Sequence, residues 1–385
     1  MFSSLAKGSL AKAALFKNTP IYVQFYVTAR CNLTCQQCNI IYANSDVREC
    51  AIDEIKRIAD NFSELGVAMV LLTGGEPFVR RDLPEIIAAF ESRGVHVRMQ
   101  TNGLASREQI QAAVEAGGRD ISISLDSLTP EVQDDINGQF KKSWHAALKA
   151  MAAFTRHLPK QNSFAALGCV LQRENLADLE DVIRFGTEIG WFTSLVPVHV
   201  TTYDRPMNFR TFDQTKRLRP EEFERVDRVI ENVRRMRKSG YLLYDSDQYL
   251  DDIKRFVKSE PVTWRDKNHG VCDSPNLYFA ILPNGNFAPC CDFRIKSAIA
   301  AYGPEFPAIY RSRAFRDEVL TVTGACSGCM YGSYPEITIS MRYLAAKWDR
   351  VKLFLASPIE KKWPISYEAM LETAGKIRDA KESPV

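Results

Sequence analysis

Six short apolar stretches alternate with longer segments of helical periodicity over the first half of the chain. The apolar stretches cover residues 21–27, 67–72, 95–100, 121–125, 165–171 and 192–198, and the helical segments cover 52–65, 83–92, 106–116, 143–157 and 176–189. Glycines such as Gly66, Gly94 and Gly117 follow several helical segments and are typical of helix ends. Because apolar strands that alternate with helices form parallel β-α-β units, the pattern predicts an α/β fold over residues 21–200. A doubly wound sheet and a barrel both satisfy this pattern, and both bind ligands at the C-terminal ends of their strands.

The remaining segments predict four further parts of the chain. Residues 1–20 form a helical extension in which Lys7, Lys12 and Lys17 alternate with leucines. We expect this short helix to cap the bottom of the core, and a weak contact with a membrane surface is the alternative. A helical connector is expected over 201–268, a cysteine-rich domain over 269–333 and a tail with two helices over 334–385.

Composition narrows the classes of function. The 385 residues carry a net charge of only +3, so no nucleic-acid partner is expected. We find neither an apolar run of membrane-spanning length nor the pattern of a signal peptide. Ten cysteines without an export signal predict metal ligands in a reducing compartment, and therefore a cytoplasmic protein.

Three of the cysteines follow the first strand directly, as Cys31-x3-Cys35-x2-Cys38. Three clustered thiolates can hold an iron-sulfur cluster and leave one iron open to an external ligand. A zinc site and buried structural thiols are the alternatives. Structural zinc normally takes four protein ligands, and the next cysteine, Cys50, lies beyond a polar loop and is interpreted as incidental.

The sequence Gly74-Gly75-Glu76-Pro77 follows the second strand. Together with the cysteine motif after the first strand, it resembles the radical S-adenosylmethionine (SAM) superfamily over roughly the first half of the chain. The resemblance implies a partial (β/α)6 TIM-like barrel and a [4Fe-4S] cluster on Cys31, Cys35 and Cys38. It further implies that SAM binds the open iron and is cleaved reductively to a 5′-deoxyadenosyl radical, which abstracts hydrogen from a substrate.

The resemblance also implies roles for residues at the ends of the strands. Gly75 and Glu76 would hold the methionyl amino end of SAM, and Asn102 and Ser124 would contact its ribose or carboxylate. Asp126 is expected to cap a turn instead.

Two departures from the superfamily pattern affect these roles. Gln37 stands where relatives usually have an aromatic residue against adenine, so that contact is polar or comes from elsewhere, from Ile40 or Tyr42. The chain also has residues 135–138 (Asp-Ile-Asn-Gly) where many relatives have an arginine. Recognition of the SAM carboxylate is therefore unassigned.

A second cysteine set surrounds a predicted hairpin turn at 283–286 and comprises Cys272, Cys290, Cys326 and Cys329. This set resembles the twitch domain, the shortened form of SPASM domains, and the resemblance implies a second [4Fe-4S] cluster. A four-cysteine zinc site is the alternative. Cys291 is spare, because the Gly285-x4-Cys290 spacing favours Cys290 as the ligand.

A cluster with four protein ligands has no open iron, which favours electron transfer. The arrangement is similar to that of a radical SAM dehydrogenase that acts on an aminocyclitol alcohol. It implies an oxidoreductase that oxidises a small or lipid-like biosynthetic intermediate and passes an electron to the auxiliary cluster. A peptide-modifying (RiPP) maturase and a radical epimerase are the enzymatic alternatives, and an iron-sulfur electron carrier is the non-enzymatic one.

The expected substrate, electron donor and hydrogen donor complete the sequence-based picture. Only twenty residues precede the first strand, too few for a peptide-recognition domain, and this favours a small or lipid-like substrate. A flavodoxin or ferredoxin is the expected electron donor. Cys169, on the fifth strand, is a candidate hydrogen donor, although a buried core cysteine is the more common arrangement.

Overall fold

The computed structural model describes residues 3–39, 48–201, 210–265, 272–355 and 361–382. Its strands are β1 (Tyr22–Thr28), β2 (Met69–Gly74), β3 (His96–Thr101), β4 (Asp120–Ser124), β5 (Phe164–Leu171), β6 (Phe192–Pro197), β7 (Tyr278–Ile281) and β8 (Phe287–Ala288). Its helices are α1 (Ser4–Phe16), α2 (Ile52–Leu65), α3 (Leu83–Glu91), α4 (Arg107–Glu115), α5 (Pro130–Ile136), α6 (Ser143–His157), α7 (Leu179–Glu188), α8 (Phe223–Lys238), α9 (Asp247–Val257), α10 (Phe306–Arg311), α11 (Arg313–Gly324), α12 (Ser333–Arg342), α13 (Leu344–Leu355) and α14 (Tyr367–Glu382).

One sheet contains all of these strands, in the order β6-β5-β4-β3-β2-β1-β7-β8. The strands β1 to β6 are parallel, and each pairs with the next one in the chain. The sequence-based prediction of an α/β fold with six parallel strands is therefore confirmed. Since the C-terminal ends of parallel strands lie at one edge, the loops after β1, β2, β3 and β4 meet there.

The helix α2 shows how the sequence determines these elements. Its buried residues include Ile55, Ile58 and Phe62, which recur at helical spacing and pack against the sheet. Gly66 ends the helix with φ +77°, a conformation that costs glycine little. The predicted bounds of α2 and α6 agree with the structure.

The cysteine-rich section continues the same sheet. The strand β7 pairs in parallel with β1, Tyr22 lying opposite Tyr278, and antiparallel with β8. The predicted hairpin turn is present, because Gly285 N–H donates to Leu282 O at 2.8 Å. The domain boundaries inferred from sequence stay a prediction, but no break in the described sheet separates this section from the barrel strands.

The C-terminal tail differs from the expectation of two helices. Three helices are described there, α12, α13 and α14. The segment around Arg342 and Lys347, expected to be one helix, is interrupted at Tyr343. The φ of −102° and ψ of 122° at Tyr343 are extended. The helices α5, α10 and α11 also lie outside the sequence-based predictions, whereas α8 and α9 lie in the expected helical connector.

The start of α12 covers the side of the barrel between β1 and β6. The Tyr22 hydroxyl of β1 donates to Ser333 Oγ at 3.0 Å. On the other side, a Cβ at Gly332 would lie 3.2 Å from a methyl group of Val196 in β6. The start of the helix thus contacts both strands, and Tyr22, Val196 and Ser333 line one cavity.

The helix α1 lies at the opposite end of the strands from the functional loops. Its Ala6 and Ala13 are fully buried in one cluster with Ile21 and Ala68, which directly precede β1 and β2. This packing is what we expect of a helix that covers the N-terminal ends of the strands. In the part of the chain that the structure describes, no helix is long and apolar enough to cross a membrane.

Candidate functional site

The first cysteine loop lies at the C-terminal end of β1. Cys38 N–H donates to Cys35 O at 3.2 Å, which closes a tight turn, and Leu33 N–H faces Cys31 Sγ at 3.4 Å. Burial raises the pKa of the Cys35 thiol, and the neighbouring Cys38 and Cys31 thiols raise it further. All three cysteines line one cavity of about 460 Å³.

Gly74 and Gly75, at the end of β2, lie very close to the backbone of the segment that leads into the first cysteine loop. A Cβ at Gly75 would lie 2.1 Å from Arg30 O, and a Cβ at Gly74 would lie 2.2 Å from Thr28 O. Real Cβ atoms do not approach a backbone oxygen so closely, so neither position accepts a side chain without a shift of the backbone. The glycines therefore allow the β2 loop to pack against the segment that carries the cysteines, and both line the cavity.

Glu76 is buried and organises the loop that follows β3. Its Oε1 accepts hydrogen bonds from Phe78 N–H at 3.0 Å and Thr101 Oγ1 at 2.8 Å, and its Oε2 accepts one from Asn102 N–H at 2.7 Å. Burial raises the pKa of Glu76 to about 7, although these donors favour the ionised form. A carboxylate has about four acceptor positions, so one position at Oε2 is left for a ligand such as an ammonium.

Asn102 connects the Glu76 loop to the first cysteine loop. Its Nδ2 donates to Asn32 Oδ1 at 2.8 Å and lies 3.8 Å from Cys31 Sγ. Its Oδ1 accepts from Leu104 N–H at 2.9 Å. Asn102 lines the cavity beside the thiols, as the predicted role requires.

Ser124, Asp126 and Cys169 also line the cavity. Asp126 Oδ1 accepts from Val170 N–H at 2.6 Å, so this carboxylate joins the loop after β4 to strand β5 instead of capping its own turn. Burial raises the pKa of Asp126 to about 7. The Cys169 thiol lies 3.7 Å from Asp126 O, and its position keeps Cys169 a candidate for contact with a substrate.

The four cysteines of the second set are brought together. Burial raises the pKa of Cys329, and the charges of Cys326, Cys272 and Cys290 raise it further, which places all four thiols in one electrostatic environment. Burial also raises the pKa of Cys272 to about 11, although the Tyr278 hydroxyl, 2.9 Å from its Sγ, favours the thiolate.

The adjacent thiols Cys290 and Cys291 have different surroundings. Cys290 interacts electrostatically with Cys272. Cys291 instead lies on the cavity, with its Sγ 3.1 Å from the Tyr26 hydroxyl and 3.7 Å from Gln24 Oε1. Cys50 is buried against the hairpin, where its N–H donates to Pro283 O at 2.8 Å.

His199 connects the second cysteine set to the end of β6. Its Nδ1 donates to Pro197 O at 2.8 Å, its Nε2 accepts from Met330 N–H at 3.0 Å, and its ring stacks on Tyr331 at 3.7 Å. Burial lowers the pKa of His199 well below 6.5, which agrees with a neutral ring in this tautomer. The sequence analysis missed this residue.

Gln37 is the one candidate for the adenine contact that lies within the described residues. Gln37 lines the cavity, and its Oε1 is buried without a hydrogen-bond partner within the described residues. The other two candidates, Ile40 and Tyr42, lie outside the described residues. The buried Gln37 oxygen is available to a polar ligand group such as an exocyclic amine.

The donor sets suit the groups that the sequence motifs imply. Three thiols that line one cavity with Gly75 and Glu76 suit a [4Fe-4S] cluster that shares one iron with SAM, and the four thiols of the second set suit a fully ligated cluster. No three His, Cys, Asp or Glu side chains within the described segments are grouped closely enough to hold a single metal ion. The fit of both sets therefore depends on the number of thiols and on their shared surroundings.

Comparison with known proteins agrees with this geometry. Residues 25–186 match the family model described as the Radical SAM superfamily. The chain is 40% identical over 124 residues to the GTP 3′,8-cyclase of Tolumonas auensis, which covers 31% of this chain and 37% of the relative. It is 34% identical over 173 residues to the PqqA peptide cyclase of Ruegeria pomeroyi, which covers 44% of this chain and 45% of the relative. The matches span less than half the length of these relatives.

A solved structure has the same fold over a larger part of the chain. The crystal structure of Streptococcus suis SuiB bound to precursor peptide SuiA superposes with a TM-score of 0.61 at 15% identity. The superposition covers 86% of this chain and 76% of SuiB. At this identity the likeness concerns the fold.

Fold and site together define an α/β partial barrel with a cavity at the cysteine-bearing ends of its strands. The matched region, residues 25–186, is a radical SAM domain.

Proposed function

We propose that this chain is a radical SAM enzyme that activates a C–H bond of a peptide or peptide-derived substrate. The observation that carries the proposal is the arrangement of Cys31, Cys35, Cys38, Gly75 and Asn102 around one end of a single cavity. When bound, the cluster and SAM supply a 5′-deoxyadenosyl radical, which can remove a hydrogen atom from a substrate carbon.

The chain's own residues position the reactants and exclude water. The Glu76 carboxylate fixes the Asn102 backbone, and one of its acceptor positions can receive the methionyl ammonium. Ser124 offers a hydroxyl at the end of the neighbouring strand. The hydrogen bond from Tyr22 to Ser333 holds the start of α12 against the cavity, where a packed wall would help to exclude water.

The second cysteine set is assigned an auxiliary [4Fe-4S] cluster on Cys272, Cys290, Cys326 and Cys329. A cluster with four protein ligands is suited to accept the electron that remains on an oxidised substrate. The connection from Met330 N–H through His199 to the end of β6 holds this set beside the cavity. We expect the reducing electrons to come from a flavodoxin or ferredoxin in the cytoplasm.

Two candidate substrate classes are weighed by different observations. A peptide is favoured because one relative is named a PqqA peptide cyclase and a fold neighbour is described as bound to a precursor peptide. Oxidation of a small biosynthetic intermediate is the second candidate. It is favoured by the cavity, since about 460 Å³ has room for a small molecule or for a few amino-acid side chains.

The test is anaerobic reconstitution followed by iron and zinc analysis and an assay for 5′-deoxyadenosine. We expect about eight irons per chain with little zinc, and reductant-dependent 5′-deoxyadenosine from the wild type but not from a Cys31/Cys35/Cys38→Ala variant. About four irons with one zinc would remove the auxiliary cluster. The absence of 5′-deoxyadenosine in the reconstituted wild type would contradict the proposed activity.

A further inference from the structure

The cavity reaches far into the barrel because many inward-facing side chains are small. Strands β4, β5 and β6 contribute Ser122, Ala166, Gly168 and Ser194 to its lining. Barrel interiors of this kind are normally filled by bulky branched side chains, which leave a packed core. Here the lining continues down to Met69 and Ile21, at the opposite end from the cysteines.

Arg98 stands in the lower part of this cavity. It projects from β3, and only 15% of its side chain is exposed. Its Nη2 forms an ion pair with Asp120 Oδ2 at 3.6 Å, a distance longer than a hydrogen bond. Asp120 already accepts from His96 Nε2 at 2.8 Å and from Phe164 N–H at 3.1 Å.

The guanidinium of Arg98 is therefore held in place with donors to spare. Its Nε is buried and has no hydrogen-bond partner within the described segments. Its charged group stacks over the Phe164 ring at 4.7 Å and hydrogen-bonds to the Tyr244 side chain, which leaves Nε as the unmet donor. A buried cation with unmet donors is costly unless a ligand satisfies it.

A second arginine belongs to the same wall of the cavity. Arg350 from α13 lies over the Tyr244 ring at 3.8 Å, and Tyr244 in turn contacts Phe164 with 5.7 Å between ring centroids. Its Nη2 pairs with Glu336 Oε2 at 2.9 Å. One aromatic pair thus lies between the two guanidinium groups that line the cavity.

The position of Arg98 relative to the cysteine end sets the length of a ligand. Arg98 lies in β3 and Asn102 directly follows this strand, four residues later. In an extended chain such residues face the same side, and the distance between them is about 13 Å. Leu71, Val196 and Ile337 also line the cavity, and most of the cavity surface is apolar.

We infer that the cavity binds a substrate with an anionic end group, a carboxylate or a phosphate, held by Arg98, and with an apolar body directed toward the cysteine end. The inference rests on the proposed function and adds the substrate class. Arg350 lies beside the same end, where its ion pair with Glu336 balances its charge. A carboxylate fits a peptide terminus or an acidic side chain, and a phosphate fits a phosphorylated metabolite.

The experiment compares three probes of one chain length by titration calorimetry on the anaerobically reconstituted holoenzyme. Octanoate and octyl phosphate are anionic, and octanamide is a neutral match for octanoate. We expect at least one anion to bind wild type at least tenfold more tightly than octanamide. Arg98→Met should reduce that preference below twofold. Arg313→Met should not change it, because Arg313 is 95% exposed and does not line the cavity.

The comparison of the two anions identifies the end group, since the tighter one shows whether a carboxylate or a phosphate is preferred. If the single variant does not fold, Arg98→Met/Asp120→Asn removes both charges and is judged by the same criterion. Equal binding of all three probes, binding of none of them, or an unchanged preference in the Arg98 variant would overturn the inference. These measurements do not require SAM cleavage, so they are independent of the 5′-deoxyadenosine assay.

Discussion

Replacing Glu76 by glutamine should loosen the loop that follows β3. The carboxylate accepts three hydrogen bonds inside the protein, two at Oε1 and one at Oε2. An amide of the same shape can place its oxygen at only one of these positions. With the oxygen toward Phe78 and Thr101, the amide NH2 group faces the Asn102 N–H, and that hydrogen bond is lost.

The expected cost follows from this geometry. Leaving one buried N–H unsatisfied costs about 1–3 kcal/mol. Each 1.4 kcal/mol corresponds to a factor of about ten in an equilibrium, so local opening at Asn102 should become roughly 5 to 140 times more frequent. Because Asn102 also lies beside Cys31, we expect weaker binding of SAM in the same variant.

The assay is hydrogen-deuterium exchange of the segment 100–105, measured by mass spectrometry on anaerobic holoenzyme. Glu188→Gln is the control, because Glu188 is exposed at the end of α7. We expect faster exchange of the Asn102 amide in Glu76→Gln and unchanged exchange in the control. Wild-type exchange at Asn102 in Glu76→Gln would refute the view that Glu76 organises this loop.

Three further changes test other parts of the structure. Gly75→Ala, whose Cβ would overlap Arg30 O, should lower the thermal midpoint through strain of about 1–3 kcal/mol or more, and an unchanged midpoint would contradict the close approach. Burial raises the pKa of Asp245 from 3.8 to about 7, so the folded protein binds a proton at this site more tightly than the unfolded chain does. The stability of the wild type therefore falls as the pH rises from about 4 to 7. Asp245→Asn should raise the thermal midpoint more at pH 8 than at pH 5, and equal effects at the two pH values would contradict this. Cys290→Ser should lose about half of the iron and Cys291→Ser should retain it, with the reverse result arguing against Cys290 as the ligand.

The sequence predicts much of the fold because periodicity reports burial. The strands β1 to β6 and the helices between them follow from apolar runs and from positions such as Ile55 and Phe62. The parallel pairing of β7 with β1 could not be inferred, since a strand of four residues carries no signal for its partner across some 250 residues. The break at Tyr343 was also hidden, because both flanking segments have helical composition.

Some residues of the candidate site could likewise be identified from the sequence, and others could not. Motif residues such as Cys31 and Gly75 could be identified, because their types and spacing are unusual. Arg98 could not be assigned, although its alternation with the buried Val97 and Met99 in β3 is a signal that it faces the other side of the strand. Alternation shows which side a residue faces, but only the arrangement of all strands shows that this side encloses a cavity.

We propose that one cluster keeps an iron open for SAM and that the other is fully ligated. Mössbauer spectroscopy of protein reconstituted with ⁵⁷Fe, before and after addition of SAM, tests this difference between the clusters. We predict that SAM changes the signal of about one iron in eight and leaves the others unchanged. A spectrum that SAM does not alter, in protein that contains both clusters, would contradict the claim.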